Sequence, residues 1–237
     1  YQPLYGQGTL LFKEDGGFGT GKLRLSQCKG IVIEHINGET LKEHVFKSDQ
    51  EKIKAIFELL IVFEYLHLNK FCYRDLKPNN VIIDKNGSIV LIDFDRAIEI
   101  NNEEGQESND FTKDIGHQSF VAPEISNGRC SYKSDIYSLG MMIFYIITGK
   151  MLRSQINNFD DIPENFSSLK SVCEECLKID ENERPKTSTL INNFYIQYFV
   201  NIHLSGLSLE YCKDKNIFSE QYTLLNENIH STNNWRY

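Results

Sequence analysis

Between Ser48 and Phe71 the apolar residues Ile53, Ile56, Phe57, Leu60 and Phe63 recur at steps of three and four, one face of a helix. Ser48 and Asp49 stand where an N-cap belongs, so the pattern predicts a core helix from Asp49 to Phe71. Further on the period becomes that of strands. Val81-Ile82-Ile83 and Ile89-Val90-Leu91-Ile92 flank Lys85-Asn86-Gly87-Ser88, which predicts two short strands joined by an Asn-Gly hairpin turn. Asp135 to Thr148 is apolar nearly all round, with Ser134 as cap and Gly149 as stop, the pattern of a helix through the middle of a domain. Leu169, Val172, Cys173, Cys176 and Leu177 form another helical stripe, and Leu190, Ile191 and Phe194 mark a last amphipathic helix within 186–200. The start of the chain differs. Thr9-Leu10-Leu11-Phe12 and Leu23-Arg24-Leu25 predict two edge-type strands around a glycine-rich connection, and Ile31-Val32-Ile33 is a further apolar run before an Asn37-Gly38 turn.

Folding the Val81–Ile92 hairpin brings Asn80 and Asp93 together at its open end. An amide oxygen and a carboxylate converging there are hard ligands of the kind Mg²⁺ takes. Asp75, five residues before Asn80, is placed to accept a proton from an attacking hydroxyl. Together these are the parts needed for phosphoryl transfer. Other stretches have plainer readings. Gly16 to Lys22 has the GxxxxGK spacing of a Walker A loop, but Leu23 stands where a hydroxyl must bind Mg²⁺ and no strand-then-helix pattern frames it, so we read a hairpin tip. Cys173 and Cys176 form a CxxC without a second pair, and their place on an apolar stripe reads as core packing. His67 has no neighbouring His, Cys or carboxylate to complete a metal set and reads as a surface or cap residue.

Tyr73-Arg74-Asp75-Leu76-x-x-x-Asn80 resembles the catalytic loop of the eukaryotic-type protein kinase domain, and Asp93-Phe94-Asp95 resembles its metal-binding DFG element. Ala122-Pro123-Glu124, Ser134-Asp135-Ile136-Tyr137-Ser138-Leu139-Gly140 and Asp180-Glu181-Asn182-Glu183-Arg184-Pro185 continue the likeness in order. The resemblance implies an α+β, protein kinase-like fold. Residues 1–36 would be a remnant of the β-rich N-terminal lobe with the hinge, 37–200 the mainly helical C-terminal lobe, and 201–237 a C-terminal extension. It also implies ATP- and Mg²⁺-dependent transfer of the γ-phosphate to Ser or Thr hydroxyls of a protein substrate. In that scheme Asp75 is the base, Lys77 offsets γ-phosphate charge and marks the Ser/Thr type, and Asn80 and Asp93 hold the metal. Ile33 is the gatekeeper, the Glu34 carbonyl and Ile36 amide bond adenine, and Ile82 belongs to the nucleotide pocket. Arg74 would grip a phosphate on an activation segment at 96–121, where Ser108, Thr112 and Ser119 are available acceptors. Glu124 and Arg184 would form a buried ion pair, and Asp135 would hold the catalytic-loop backbone.

The chain departs from the family pattern in several places. Tyr73 replaces a histidine and its ring is expected to pack beneath Phe94. Asp95 replaces a glycine, whose backbone freedom Asp shares only in part, and adds a third carboxylate near Asp93. His117 stands where a threonine usually touches the catalytic Asp and Lys. Residues 1–30 offer no counterpart of the Gly-rich loop, the phosphate-anchoring lysine or its partner glutamate. These departures motivate an alternative, a pseudokinase acting as a binding or scaffold module. A small-molecule kinase of the choline or aminoglycoside type shares the Asp, Asn and Asp logic, but leaves Lys77-Pro78, Ala122-Pro123-Glu124 and Arg184 unexplained.

Composition narrows the partners. A length of 237 residues can bury a substantial core, and a net charge of −8 provides no basic field for nucleic acid. The most apolar run, Met141 to Ile147, is too short to span a bilayer. Six scattered cysteines fit a reducing, cytoplasmic (intracellular) setting, and nothing in the pattern indicates an oligomeric state.

Overall fold

The computed structural model describes residues 4–14, 24–33, 35–100, 105–107, 118–152 and 159–194. Strands β1 (Leu4–Glu14) and β2 (Arg24–Ile33) pair antiparallel, from Leu4 opposite Ile33 to Glu14 opposite Arg24. The three short apolar runs of this region therefore merge into two long strands. Ile31–Ile33 continues the strand begun at Arg24, because Gly30 lies opposite Gly8 and the pairing runs on to Ile33, with one register shift between Leu4 and Gly6. The loop Gly16–Lys22 and Glu34 lie outside the described residues.

Helix α1 (Asp49–Leu68) is capped by Ser48, whose side chain accepts from Glu51 N, so Ser48 is the cap and Asp49 the first helical residue. Its buried face is Ala55, Ile56, Leu59, Leu60, Phe63 and Leu66. The helix stops short of Phe71. Asn69 caps it, Lys70 turns left-handed with φ 64°, and Phe71–Cys72 forms β4, paired with β7 (Ile98–Glu99).

A three-stranded sheet joins β3 (Gly38–Thr40), β5 (Val81–Asp84) and β6 (Ile89–Leu91), with β5 in the middle. The β5–β6 turn differs from a two-residue Asn-Gly turn. Asp84 and Ser88 close the ladder, Gly87 N donates back to Asp84 O at 2.9 Å, and only Gly87 takes a positive φ, 71°. This is a three-residue loop with glycine at its left-handed position. Asp84 Oδ1 accepts from Asn86 N at 2.8 Å and Ser88 N at 2.9 Å, and the Ser88 N–H above all holds the Asp84 carboxyl below its usual range. Helix α1 braces the hairpin: Lys54 Nζ donates to Gly87 O at 2.7 Å and Glu58 Oε2 accepts from Ile89 N at 2.8 Å.

Helix α2 (Tyr132–Thr148) is buried along most of its surface. It starts three residues ahead of the position expected from Ser134. Ser131 is the N-cap and Ser134 closes a capping box by accepting from Ser131 N, so both serines serve the same end. Gly149 ends it at φ 70°. Helix α3 (Ser168–Cys176) packs against α2 at Gly140, where a Cβ would stand 2.6 Å from Cys176 Cβ, so only glycine permits this approach. Helix α4 (Thr187–Phe194) packs against α1. The remainder of the helix expected to 200, and 201–237, lie outside the described residues. So do Ser108, Thr112 and His117; of the segment 96–121, the short strand β8 (Gln106–Glu107) pairs with β9 (Arg129–Cys130). No helix among the described residues is long and apolar enough to cross a membrane.

The α3 stripe is core: Leu169, Val172, Cys173, Cys176 and Leu177 are all buried. Burial pushes the Cys173 thiol up to about 12 and Cys176 well above its usual range. Cys72 and Cys130 are likewise free and buried. The largest buried polar side chain is Arg184, 1 % exposed. Its five N–H donors are all used. Nη1 reaches Glu124 Oε1 at 2.7 Å and Lys133 O at 2.8 Å, Nη2 reaches Glu124 Oε2 at 2.9 Å and Ile179 O at 3.2 Å, and Nε reaches Lys178 O at 2.8 Å.

Two outcomes follow from this packing. Glu124→Ala strands the Arg184 charge and is expected to cost about 3–5 kcal/mol in urea-unfolding free energy; a loss below about 1 kcal/mol would contradict the buried pair. In the native protein at pH 8, Cys72, Cys130, Cys173 and Cys176 should resist iodoacetamide and react only in denaturant, as peptide mass mapping would read.

Candidate active site

The loop between β4 and β5 runs from Tyr73 to Asn80 and ends in a single 3₁₀ turn, Pro78–Asn80. Arg74 sits at φ 71°, a left-handed conformation costly for a residue with a side chain. Asp135, 0 % exposed in the first turn of α2, holds it there. Asp135 Oδ2 accepts from Tyr73 N at 2.8 Å and Oδ1 from Arg74 N at 2.9 Å. His67, expected at the surface, is instead enclosed. Its Nε2 lies 3.1 Å from Asp135 Oδ2 and its Nδ1 2.8 Å from Thr187 Oγ1, with its ring 4.9 Å from that of Tyr132. His67 follows buried Phe63 by four residues, the one sequence signal that put it on the core-facing side.

Tyr73 is fully buried and packs edge-on against both Phe63, at 5.8 Å, and Phe94, at 5.2 Å. Its hydroxyl donates to Ile92 O. Burial first, and then the Asp75 carboxylate, push the phenol well above its usual range, so it stays a neutral donor. The ring thus ties the loop to the segment leaving β6.

Asp75 is 8 % exposed. Lys77 Nζ reaches its Oδ2 at 2.7 Å and Asn80 Nδ2 donates to the same oxygen at 2.8 Å and to Asp75 O at 2.9 Å. Both side-chain bonds fall on Oδ2, which leaves Oδ1 for an incoming group. The Nδ2 bonds turn the Asn80 amide oxygen away from that carboxylate. Ile92 N donates to Asn80 O at 3.0 Å, closing the hairpin's open end and setting Asp93 beside Asn80. Asp93 is exposed and left-handed, φ 62°. The strain expected at Asp95 is absent, since the left-handed residue is Asp93. Asp95 is exposed in a turn closed by Ala97 N to Phe94 O at 2.9 Å, and an ordinary backbone accommodates it there.

The remaining candidate residues take three kinds of place. Arg74 Nη1 donates to Arg96 O at 3.2 Å, near the start of the segment that holds half-buried Ser119. Ile82 is half-buried, on the face of β5 opposite buried Val81 and Ile83. Ile33 ends β2, and half-buried Ile36 precedes Asn37, whose carbonyl accepts from Lys85 N at 3.1 Å. Lys77 and Asn80 thus both bond Asp75, and Asp93 follows the residue whose N–H reaches Asn80 O, while Ile33 ends a different strand.

Among the described residues no three His, Cys, Asp or Glu side chains cluster to hold a metal by themselves. The donor set here, one amide oxygen and one exposed carboxylate, suits Mg²⁺, which commonly takes one or two protein oxygens and fills its shell with phosphate oxygens and water. The residues fit a Mg²⁺–polyphosphate and would not hold the bare ion tightly.

The family model for the protein kinase domain matches residues 24–196. Over 179 residues the chain is 32% identical to a probable serine/threonine-protein kinase of Dictyostelium discoideum, covering 68% of this chain and 42% of that protein. It is 30% identical to the dual specificity protein kinase zak2 of the same organism over 177 residues, covering 72% of this chain and 27% of the relative. With the serine/threonine-protein kinase PrkC of Bacillus subtilis it shares 30% identity over 126 residues, 51% of this chain and 19% of PrkC. The chain belongs to the protein kinase domain family, and it spans less than half the length of these relatives.

Tyr73→Phe keeps the ring packing and removes one donor, so unfolding free energy should fall by about 1 kcal/mol. Tyr73→Ala should cost about 3–5 kcal/mol. Equal losses for the two variants in urea titrations would contradict the packing role.

Proposed function

We propose that this chain carries the phosphotransfer centre of an ATP- and Mg²⁺-dependent protein serine/threonine kinase. The observation that carries the reading is the convergence on one carboxylate, Asp75, of Lys77 at 2.7 Å and Asn80 at 2.8 Å, with Asp93 set beside Asn80 by the hairpin. Residues 37–200 form the C-terminal lobe in this reading, 1–36 belong to the N-terminal lobe and hinge, and 201–237 form an extension. The family assignment and the names of the relatives support it.

Asp75 Oδ1 receives the proton of the substrate Ser or Thr hydroxyl, while Asn80 and Lys77 fix Oδ2 and so aim the carboxylate. Lys77 places a cation beside that oxygen, where it offsets charge on the transferring group. The Asn80 oxygen and Asp93 are the residues that would hold Mg²⁺, which when bound neutralises phosphate charge. In this reading Ile33 is the gatekeeper, Ile82 belongs to the nucleotide pocket, and the Glu34 carbonyl and Ile36 amide bond adenine. Arg74 faces the segment that would carry an activating phosphate, and Asp135, Glu124 and Arg184 brace the loop and the substrate platform. The free, buried cysteines support a reducing, intracellular setting.

The test is Asp75→Asn in the full-length protein, assayed for γ-phosphate transfer to Ser/Thr peptides. A fall of about 10²–10⁴-fold is expected, and wild-type rates would overturn the assignment. Calorimetry of Mg²⁺–ATP on the wild type separates the scaffold alternative, which the exposed Asp95 carboxylate near Asp93 favours: no binding and no transfer would establish a non-catalytic module.

A further inference from the structure

A cavity of about 690 Å³ opens at the turn end of the β5–β6 hairpin, the end away from Asn80 and Asp93, and its size is that of a ligand cleft. Three pieces of the fold meet there: β3, the hairpin turn, and the loop from His44 to Lys47 with the first turns of α1. The floor is apolar, from half-buried Phe46 and buried Ala55 and Ile83. His44 is held in the wall by Glu39, 2.8 Å from its Nδ1, and by an edge contact with Phe46 at 4.8 Å.

The charges around this floor are not equivalent. Each carboxylate is already engaged by a donor of the chain: Glu39 by His44, Glu51 by Lys47 N at 2.7 Å, and Asp84 by Asn86 N and Ser88 N. Lys54 is directed to Gly87 O. The ammonium groups of Lys47 and Lys85, both exposed, have no hydrogen-bond or ion-pair partner among the described residues. The main chain adds a second demand, because β3 is an edge strand of its sheet. Lys85 N donates to Asn37 O and Leu41 N to Val81 O, and bonded positions alternate along an antiparallel ladder, so Gly38 and Thr40 turn their N–H and C=O groups outward. Thr40 uses its own: Thr40 N donates to Glu43 Oε2 at 3.3 Å, and Thr40 O accepts from His44 N at 2.9 Å. Gly38 has no such partner among the described residues, and it lines the cavity. A Cβ there would stand 2.3 Å from Ile83 O, so the position stays a bare main chain.

We propose that this cleft docks an extended segment of the protein substrate in which acidic residues flank apolar ones; that the partner is the substrate rests on the kinase reading above. The segment's main chain pairs with Gly38 at the edge of β3, its carboxylates meet Lys47 and Lys85, and an apolar side chain covers Phe46. A strand rises about 3.3 Å per residue, so Asp84 stands about 13 Å from Asn80. The docked segment therefore lies at least about four residues of extended chain from the hydroxyl that reaches Asp75. Docking at that distance raises the local concentration of substrate and leaves the chemistry at Asp75 unchanged.

The probe is a fluorescein-labelled octapeptide, Gly-Glu-Glu-Val-Ile-Val-Glu-Gly, and its control carries Lys in place of each Glu; both are titrated with the full-length protein and read by fluorescence anisotropy. We expect the acidic peptide to bind with Kd below about 100 μM and the control at least about 10-fold more weakly. Lys47→Glu with Lys85→Glu, two substitutions at exposed positions, should weaken the acidic peptide by at least about 10-fold. Methylating the amide nitrogen of the probe's Ile should weaken it as well, by removing a main-chain bond to Gly38. No binding of either peptide, equal binding of the two, or acidic-peptide binding that survives the double substitution overturns the proposal. Full affinity of the methylated probe overturns the pairing with Gly38. A wild-type dimer in sedimentation that the double variant loses and the probe does not displace would make the occupant a second copy of this chain, and the proposal wrong.

Phosphate transfer separates the two claims. On a Ser peptide extended by the probe sequence, the double variant should raise KM by at least about 10-fold with kcat unchanged, and it should leave the unextended peptide unaffected. Equal KM in wild type and variant on the extended peptide would overturn docking of substrate. Probe binding that behaves as expected in a protein that transfers no phosphate would instead overturn the kinase reading and leave the cleft standing as a peptide-binding surface.

Discussion

A single buried carboxylate organises this molecule. Asp135 lies at the start of the most enclosed helix and spends both oxygens on the backbone of a loop that would otherwise relax. Removing it would leave two N–H groups without partners in a region closed to water, and each such loss costs about 1–3 kcal/mol. It also makes the left-handed turn at Arg74 tolerable. The loop, and with it Asp75, Lys77 and Asn80, therefore takes its place from the core of the helical layer and not from its own local preferences.

A second constraint sets Asp93 against that loop. The β5–β6 hairpin is short, but it is tied at both ends: Ile92 N to Asn80 O closes one, and the Asp84–Ser88 turn closes the other. Lys54 of α1 then holds the turn at Gly87 and Glu58 the start of β6 at Ile89, and the Tyr73 hydroxyl reaches across to Ile92 O. The same helix that packs the core thus positions the hairpin, and the aromatic series Phe63, Tyr73 and Phe94 continues that packing to the residue after Asp93. Function of the proposed kind needs a base and two oxygens held in register, and two independent supports provide it.

Much of this was legible beforehand, for local reasons. The face of α1, the hairpin and the α3 stripe are periodic patterns; the α3 stripe is buried throughout, while on α1 Ile56, Leu60 and Phe63 are buried and Ile53 and Phe57 only half-buried. The hairpin allows few geometries for its ends, and its Ile92 N–H does reach Asn80 O, while Asp75 is joined to Asn80 by hydrogen bonds outside the hairpin. What eluded the pattern was every feature in which a residue answers to a distant partner. His67 reads as a surface or cap residue because no partner stands near it in sequence, and only Asp135 and Thr187 explain its enclosure. Asp95 reads as strained by comparison with glycine, yet the turn it occupies places the left-handed residue at Asp93. Ile31–Ile33 reads as a further apolar run of its own before the Asn37-Gly38 turn, and the pairing with β1 makes it the end of β2.

Periodicity, capping and motif spacing are short-range properties of the chain, and from them the main helices, the β5–β6 hairpin and the likeness to the family could be read. Tertiary structure decided which polar groups are buried and with whom. Arg184 reaches its glutamate across sixty residues, His67 its threonine across more than a hundred, and Asp135 its loop from another helix. Such bonds depend on desolvation and on the relative placement of packed helices, and neither is encoded in any window of sequence short enough to read as a pattern.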